Sequence, residues 1–172
     1  GQCHNPWDRS RIPGGSSGGS GVTVAVGIAS ASLGCDTGGS VRLPAAINGI
    51  AGLRPTHGRV PNHGATPISA SYDTIGPMAR NVSDLARILA VISNEGPSEA
   101  PTSATSLGNF LPTLNDGISG LRIGVPRNHY FVGCDDDIAE ATMNAIRVLE
   151  RQGAHIIDVD VDGAKETQDW YT

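Results

Sequence analysis

The sequence predicts an α/β fold, chiefly because two short apolar stretches near its C-terminal end flank a helical segment. Residues 121–126 (LRIGVP) and 155–161 (HIIDVDV) have the length and composition of strands. Residues 135–152 predict a helix with acidic side chains in its first turn and Gly153 just beyond its end. Two strands joined by one helix favour a parallel βαβ unit, and this unit is the basis of the α/β assignment.

In the N-terminal half, the type of secondary structure is less clear from the sequence than in the βαβ unit. Residues 22–33 (VTVAVGIASASL) fit either a short buried strand or a buried helix. We favour a helix capped by Ser20, since the alanines of this segment suit close packing against a sheet. Residues 49–60 predict a strand followed by a turn at Pro55.

The clearest helix in the sequence covers residues 82–92. Asn81 or Ser83 is the expected N-terminal cap. The apolar side chains that recur at helical spacing are Val82, Leu85, Leu89 and Ile92. An amphipathic helix of this kind packs its apolar face against the rest of the fold.

The residues between this helix and the βαβ unit have the composition of a surface connection. Residues 94–120 are rich in Ser, Thr, Pro, Gly and Asn, as long surface connections and subdomain boundaries are. We therefore expect a core with glycine-rich loops over residues 1–94, a surface connection over 95–120 and the βαβ segment over 121–172. No internal repeat is visible.

Composition and charge argue against several classes of function. The 172 residues include 12 basic and 17 acidic side chains, for a net charge of -5, and Lys165 is the only lysine. A nucleic-acid-binding domain is expected to have a basic face, so direct binding of nucleic acid is not predicted. No apolar stretch approaches the ~20 residues of a membrane span, and the first residues lack the features of a secretory signal. We therefore expect a cytosolic protein.

The cysteines, histidines and acidic runs predict neither a disulfide framework nor a metal site. The acidic run 135–137 suits a helix N-terminus better than a calcium loop. His57 and His63 are six residues apart and share neither a helix face nor a strand face. The cysteines are widely spaced without a CxxC pair, so we expect three free thiols: Cys3, Cys35 and Cys134. No metal and no cofactor are expected.

Two glycine-serine tracts are the unusual feature of this sequence, which has 23 glycines. They are PGGSSGGSG (residues 13–21) and CDTGGS (residues 35–40). The first tract lacks the lysine that follows the glycines of a phosphate-binding loop, and no apolar strand leads into it as in a dinucleotide fingerprint. It does match the G-x-S-x-G nucleophile elbow with Ser17 at the centre, but the elbow also requires a buried strand before it.

The second tract contains a hydroxyl group suited to acyl transfer. Asp36-Thr37-Gly38 is the tripeptide of aspartic proteases, yet the sequence has no second copy to supply the partner carboxylate. Ser40 follows two glycines that let backbone N–H groups converge, as a nucleophile beside an oxyanion hole requires. Ser16, in the first tract, offers a second hydroxyl. From the residues alone, tight turns around a packed helix explain both tracts equally well.

The two tracts and the residues around them closely resemble the amidase signature family of serine hydrolases. The similarity covers nearly the whole chain from Asn5, is strongest over residues 14–60, and continues in DTIGPMARNVSDLA (residues 73–86). It implies the fold of that family, a mixed and largely parallel sheet flanked by helices, of which this chain contains only part. It also implies cleavage of a carboxamide to a carboxylic acid and ammonia or an amine, through an acyl-serine intermediate and without a cofactor.

The resemblance further implies catalytic roles for individual residues. Ser40 matches the nucleophile of the family. Ser16 matches a bridging serine, preceded by a cis peptide bond, that passes protons between a lysine and the nucleophile. The oxyanion hole implied by the resemblance consists of the backbone N–H groups of Thr37, Gly38, Gly39 and Ser40.

Other positions match the family with one departure and one omission. Ser17, Asp36 and Arg42 match residues that hold these loops by hydrogen bonding. Cys35 stands where Thr or Ser is more usual, which should weaken one hydrogen bond and spare the chemistry. The lysine of the family lies well upstream of the first tract, so the resemblance places the catalytic lysine outside this chain and does not assign the role to Lys165. We expect a central fragment of an amidase, or one chain of a split or proteolysed enzyme, that is inactive by itself.

Three functions remain open from the sequence. The first is a free amidase for a small aryl or aliphatic amide, which residues 69–80 (SASYDTIGPMAR) resemble more closely. The second is the glutaminase subunit of a tRNA-dependent amidotransferase, and the third is a non-catalytic part of a larger assembly. The expected partners are an amide substrate and either the rest of the amidase chain or a second chain that supplies the lysine, with a homodimer as a further option.

Overall fold

The computed structural model describes residues 1–93, 111–164 and 166, and the chain divides into two compact units, Gly1–Pro112 and Thr113–Thr172. Residues 94–110, most of the predicted connection, lie outside the described residues. The helices are α1 (Gly18–Ala25), α2 (Arg42–Asn48), α3 (Val82–Ile92), α4 (Arg127–Tyr130) and α5 (Asp136–Arg151), with a 3₁₀ helix at Pro112–Asn115. The strands are β1 (Ala31–Asp36), β2 (Ala51–Gly52), β3 (Thr74–Ala79), β4 (Arg122–Val125) and β5 (His155–Asp158).

The first unit contains a three-stranded sheet in the order β1-β3-β2. Both pairings of β3 are antiparallel, as the mixed sheet implied by the resemblance allows. The β1–β3 register runs from Ala31 opposite Ala79 to Asp36 opposite Thr74. The C-terminal end of β1 therefore lies beside the N-terminal end of β3, and the two loops at these ends become neighbours.

Two elements of this unit, β3 and α2, are absent from the sequence-based prediction. β3 contains Gly76 and Pro77 in its interior, and proline in a central strand is unusual because it has no N–H to donate. Gly76 is required at its position, since a Cβ there would overlap the carbonyl oxygen of Leu53. α2 has only seven residues, and Pro44 lies in its first turn. Neither element has the local pattern of its type.

The prediction of one helix over residues 22–33 is wrong in its second half. Helix α1 begins earlier, at Gly18, and ends at Ala25, and β1 starts at Ala31. Gly27, with φ of 78°, lies in the turn that reverses the chain between the two elements. Ser20 is inside α1 and does not cap it. Its hydroxyl donates to the carbonyl oxygen of Leu33 at 3.0 Å and so ties α1 to β1.

Of the remaining predictions for this unit, the strand over residues 49–60 is largely wrong and helix α3 is confirmed. The strand expected over residues 49–60 is reduced to the two residues of β2, and Pro55 follows it in irregular chain. Helix α3 has the predicted bounds, and Asn81 is the cap, with its side-chain oxygen accepting from the N–H of Asp84 at 2.9 Å. One cluster of buried core residues consists of Val41, Ala45 and Met78, with Ile50 packed against it.

The second unit confirms the predicted βαβ arrangement. β4 and β5 pair in parallel, with Arg122 opposite His155, and α5 connects them in sequence and packs on β5. Asp136 and Asp137 lie in the first turn of α5, where negative charge is favourable. Gly153, with φ of 95°, lies just beyond the end of α5, as the sequence predicts.

Candidate active site

The two glycine-serine tracts are brought together in the first unit. The first tract leads into α1, and the second forms the turn between β1 and α2. The N–H of Ser17 donates to the carbonyl oxygen of Ser40 at 3.2 Å, which joins the two loops directly. The Gly15–Ser16 peptide bond is cis, as the resemblance implies. Ser16, predicted as the bridging serine, is exposed, and Ser40, predicted as the nucleophile, is partly buried.

The start of the first tract is fixed by the fully buried side chain of Asn48 at the end of α2. Its amide nitrogen donates to the carbonyl oxygens of Pro13 at 2.7 Å and Pro44 at 2.8 Å. A Cβ on Gly14, which has φ of 77°, would crowd the backbone of Pro44. The loop with Ser16 therefore begins in close contact with the helix that follows Ser40.

The end of the same tract is held by close packing between Ser17 and β1. A Cβ on Gly34 would overlap the side chain of Ser17, so only glycine at position 34 leaves room for it. The carbonyl oxygen of Ser17 accepts from the N–H of Gly21 in the first turn of α1. Ser17 thus packs against β1 and accepts a hydrogen bond from the first turn of α1.

Asp36 organises the loop that carries Ser40. Its carboxylate is fully buried and accepts from the backbone N–H groups of Gly39 at 2.8 Å, Val41 at 3.2 Å and Arg42 at 3.3 Å. The guanidinium of Arg42 also donates to both carboxylate oxygens, at 3.0 and 3.1 Å. Burial by itself raises the pKa of Asp36, but the hydrogen bonds from Arg42 and the backbone outweigh it and hold the pKa below its ordinary value. Asp36 therefore stays ionised and holds the turn.

The backbone N–H groups of the implied oxyanion hole differ in their hydrogen bonds. The N–H of Gly39 donates to Asp36. The N–H groups of Gly38 and Ser40 have no acceptor among the described residues. Gly39 has a φ of 128°, which suits glycine, and its carbonyl oxygen accepts from the N–H of Leu43 at 2.7 Å.

Two residues that the sequence analysis did not select also contact this loop. The guanidinium of Arg54 lies 3.3 Å from the Asp36 carboxylate and donates to the carbonyl oxygen of Tyr72 at 2.6 Å. Asp73 accepts from the hydroxyl of Thr37. In the sequence, the only sign of these contacts is a charged residue next to an apolar segment: Arg54 follows one such segment, and Asp73 directly precedes another. Their contacts with the Ser40 loop could not be predicted, because they depend on the antiparallel pairing of β1 with β3, which the sequence did not predict.

Cys35 is partly buried in β1, directly before Asp36. Burial raises the pKa of its thiol, and the negative charge of Asp73 acts in the same direction. The thiol is therefore protonated at neutral pH. The thiolate, which is the nucleophilic form of cysteine, is thus disfavoured at this position next to the loop that carries Ser40.

A metal site requires grouped ligands and a membrane-spanning helix requires length and apolar character, and the described residues meet neither requirement. Within residues 1–93, 111–164 and 166, no three His, Cys, Asp or Glu side chains are grouped so that they could hold a metal ion. All three cysteines are free thiols, as expected. Among the described helices, none combines the length and the apolar character needed to cross a membrane.

Comparison with known proteins shows the family of this chain. The sequence model of the family described as Amidase matches residues 1–172. This chain belongs to the amidase signature family. Its α/β fold is the part of the amidase fold that carries the two glycine-serine tracts.

Two curated relatives of this amidase chain are subunits of the same kind of enzyme, glutamyl-tRNA(Gln) amidotransferase. The protein from Chloroflexus aggregans is 47% identical over 161 residues, which are 94% of this chain and 33% of that protein. The protein from Anaeromyxobacter sp. is 45% identical over 163 residues, which are 95% of this chain and 33% of that protein. This chain therefore spans about a third of the length of these relatives.

Solved amidase-family structures superpose closely on the chain. The corresponding glutamyl-tRNA(Gln) amidotransferase subunit from Thermotoga maritima has a TM-score of 0.90 at 36% identity and covers 99% of this chain and 37% of its own. The native peptide amidase of Stenotrophomonas maltophilia has a TM-score of 0.83 at 36% identity and covers 96% of this chain and 34% of its own. Enzymes of different names thus share this part of the fold.

Proposed function

We propose that the intact protein hydrolyses a carboxamide through an acyl-enzyme on Ser40. The observation that carries this proposal is the hydrogen bond from the Ser17 N–H to the Ser40 carbonyl oxygen, at 3.2 Å. It places the loop with Ser16 against the loop with Ser40, as a relay between two hydroxyl groups requires. The unoccupied N–H groups of Gly38 and Ser40 support the same reaction, since they are donors for a developing oxyanion.

The proposed reaction has two steps. The Ser40 oxygen attacks the amide carbonyl carbon, its proton passes to Ser16, and Ser16 passes its own proton to a neutral lysine outside this chain. As the C–N bond breaks, the relay returns a proton to the departing nitrogen, because an unprotonated amide nitrogen is a poor leaving group. Water then attacks the acyl-Ser40 ester by the same relay, which releases the carboxylic acid and restores the Ser40 hydroxyl.

A second candidate is a more specific form of this reaction, in which the amide is glutamine and the ammonia passes to a partner that modifies charged tRNA. The observation that favours it is the identity of 45% and 47% to two subunits of glutamyl-tRNA(Gln) amidotransferases. Residues 69–80, which resemble free amidases more closely, favour the first candidate.

The decisive test of the proposed nucleophile is the variant Ser40→Ala in the intact enzyme. A fluorophosphonate, which forms a bond to an activated serine oxygen as fluoride leaves, should label the wild type at Ser40 and fail to label the variant. Ser83→Ala, which removes an exposed hydroxyl on α3, is the matched control and should keep full labelling. Labelling that persists in Ser40→Ala, or that appears on Ser17, would reject the assignment in favour of the nucleophile elbow.

A comparison of substrates separates the two candidates. Ammonia release from glutamine, from a C-terminal peptide amide and from an aryl amide should be measured with and without a candidate amidotransferase partner. Glutaminase activity that rises strongly with the partner would identify the amidotransferase subunit. High activity on the other amides without any partner would identify a free amidase.

A further inference from the structure

A second buried carboxylate, that of Asp73, contacts the loop that carries Ser40, and the proposed reaction does not use it. Asp73 is only 4% exposed. One carboxylate oxygen accepts from the hydroxyl of Thr37 at 2.5 Å, and the other accepts from the N–H groups of Ile68 at 2.7 Å and Ser69 at 3.0 Å. Three donors therefore converge on one ionisable group.

The fold explains why Asp73 reaches Thr37 across a sequence separation of 36 residues. Thr37 directly follows β1 and Asp73 directly precedes β3, and these strands pair in antiparallel register with Asp36 opposite Thr74. The hydrogen bond from Thr37 is the largest of the causes that lower the pKa of Asp73 below its ordinary value. Asp73 is thus an anion at neutral pH, and its bond to Thr37 is of the stronger, charge-assisted kind.

Two carboxylates consequently hold the two ends of the same short turn. Asp36 holds the N–H groups of Gly39, Val41 and Arg42, and Asp73 holds the side chain of Thr37. Only Gly38 lies between these anchors, and glycine has the greatest backbone freedom of all residues. The Gly38 N–H belongs to the peptide plane between Thr37 and Gly38, so an anchor at Thr37 restricts the positions that this donor can take.

We propose that Asp73 is a positioning residue of the amidase reaction. Through the hydroxyl of Thr37 it fixes the Thr37–Gly38 peptide plane and aims the Gly38 N–H at the oxyanion that forms on the substrate carbonyl. This inference rests on the proposed function, because it concerns a donor for the acyl-transfer transition state. Asp73 itself touches no reacting atom.

The test uses saturation kinetics of fluorophosphonate labelling in the intact enzyme, since this probe also develops negative charge on an oxygen that the hole stabilises. Thr37→Val keeps the shape of the side chain and removes the hydroxyl. The maximal labelling rate should fall about tenfold or more, as expected when an oxyanion donor is misplaced, with the half-saturation concentration changed less than about twofold. Thr37→Ser restores the hydroxyl and should return the rate to near the wild-type value.

Asp73 is tested by the variant Asp73→Asn and by combining it with Thr37→Val. Asp73→Asn removes the charge from the bond that Thr37→Val removes altogether, so the double variant should lose no more rate than the more severe single variant. If the fold-loss in labelling rate of the double variant equals the product of the two single losses, the proposal is wrong. If Asp73→Asn does not fold, the pair Thr37→Val and Thr37→Ser still decides, because neither substitution removes the acceptor for Ile68 and Ser69.

A control separates this inference from general destabilisation and from failure of the proposed function. Thr142→Val makes the same substitution at a threonine of α5 whose hydroxyl donates to the carbonyl oxygen of Ile138 at 2.8 Å, and it should label like the wild type. If Ser40→Ala abolishes labelling while Thr37→Val labels normally, the inference about Asp73 is wrong and the proposed function stands. Full labelling of Ser40→Ala would reject both.

Discussion

At the scale of the residue, the arrangement of the candidate site depends most on the buried carboxylate of Asp36. A buried charge is costly unless hydrogen bonds and opposite charges compensate it. Here the compensation comes from backbone N–H groups of the turn and from the guanidinium groups of Arg42 and Arg54. Each of these contacts also fixes a part of the turn before or after Ser40, so the stability of the unit and the geometry of the site have the same origin.

This dependence predicts a change in the response to acid. The pKa of Asp36 in the folded protein is below the ordinary value of 3.8, so below about pH 4 the unfolded state binds more protons than the folded one. The stabilisation from Asp36 is therefore complete at neutral pH and is lost as the pH falls through the folded pKa. Asp36→Asn should lower the unfolding temperature at pH 7 and give a shallower loss of stability between about pH 5 and pH 2.

Thermal unfolding of the intact enzyme followed by circular dichroism across this pH range measures the effect. Glu140→Gln removes an exposed carboxylate of α5 and is the control for the change in net charge. If Asp36→Asn is as stable as the wild type at neutral pH and loses stability just as steeply in acid, the role assigned to Asp36 is wrong.

At the scale of the element, α3 shows how much a local pattern can determine. Its bounds agree with the predicted residues 82–92, because both the apolar spacing and the cap are encoded within the segment itself. β3 shows the opposite case. It is the central strand of its sheet, although its interior contains Gly76 and Pro77. Glycine is needed at position 76 because the Leu53 backbone approaches closely there, and Pro77 leaves the sheet with one hydrogen-bond donor fewer.

The sequence left Asn81 and Ser83 as alternative caps of α3, and the structure makes the choice testable. Asn81→Ala removes the acceptor for the N–H of Asp84 and should lower the free energy of unfolding by about 1 kcal/mol. Ser83→Ala should change it by less than about 0.5 kcal/mol, since Ser83 is exposed and its side chain accepts no capping hydrogen bond. Urea unfolding of both variants measures the difference. Equal losses, or a larger loss in Ser83→Ala, would contradict the assignment of the cap.

At the scale of the whole molecule, the chain provides two compact units and about a third of the length of its curated relatives. The proposed relay needs a neutral lysine, and the only lysine here, Lys165, lies outside the described residues and follows the signature. The proposed general base therefore comes from another part of the amidase.

This proposal predicts that the 172-residue chain alone releases no ammonia from simple amides. An unactivated serine hydroxyl is a weak nucleophile at neutral pH, so Ser40 needs the missing base. Supplying the upstream segment of the intact enzyme, in trans or as a fusion, should restore the activity. If the chain alone turned over an amide at an enzymatic rate, and Lys165→Ala stopped it, the prediction would be wrong and Lys165 would be the base.

The sequence by itself determined the class of fold, helix α3, the βαβ unit and membership of the amidase family. These features depend on local spacing or on motifs whose residues are contiguous, such as CDTGGS at residues 35–40. The same signals also identified Ser16, Ser40 and Asp36 as candidates before any geometry was known.

Only the tertiary structure decided how these residues are held. The antiparallel pairing of β1 with β3 brings Asp73 to Thr37 across 36 residues of sequence, and Arg54 reaches Asp36 across 18. It also commits the N–H of Gly39 to Asp36, which the motif alone could not reveal. Such contacts follow from strand register and from competition among acceptors in a buried turn, and neither is encoded in the spacing of one segment.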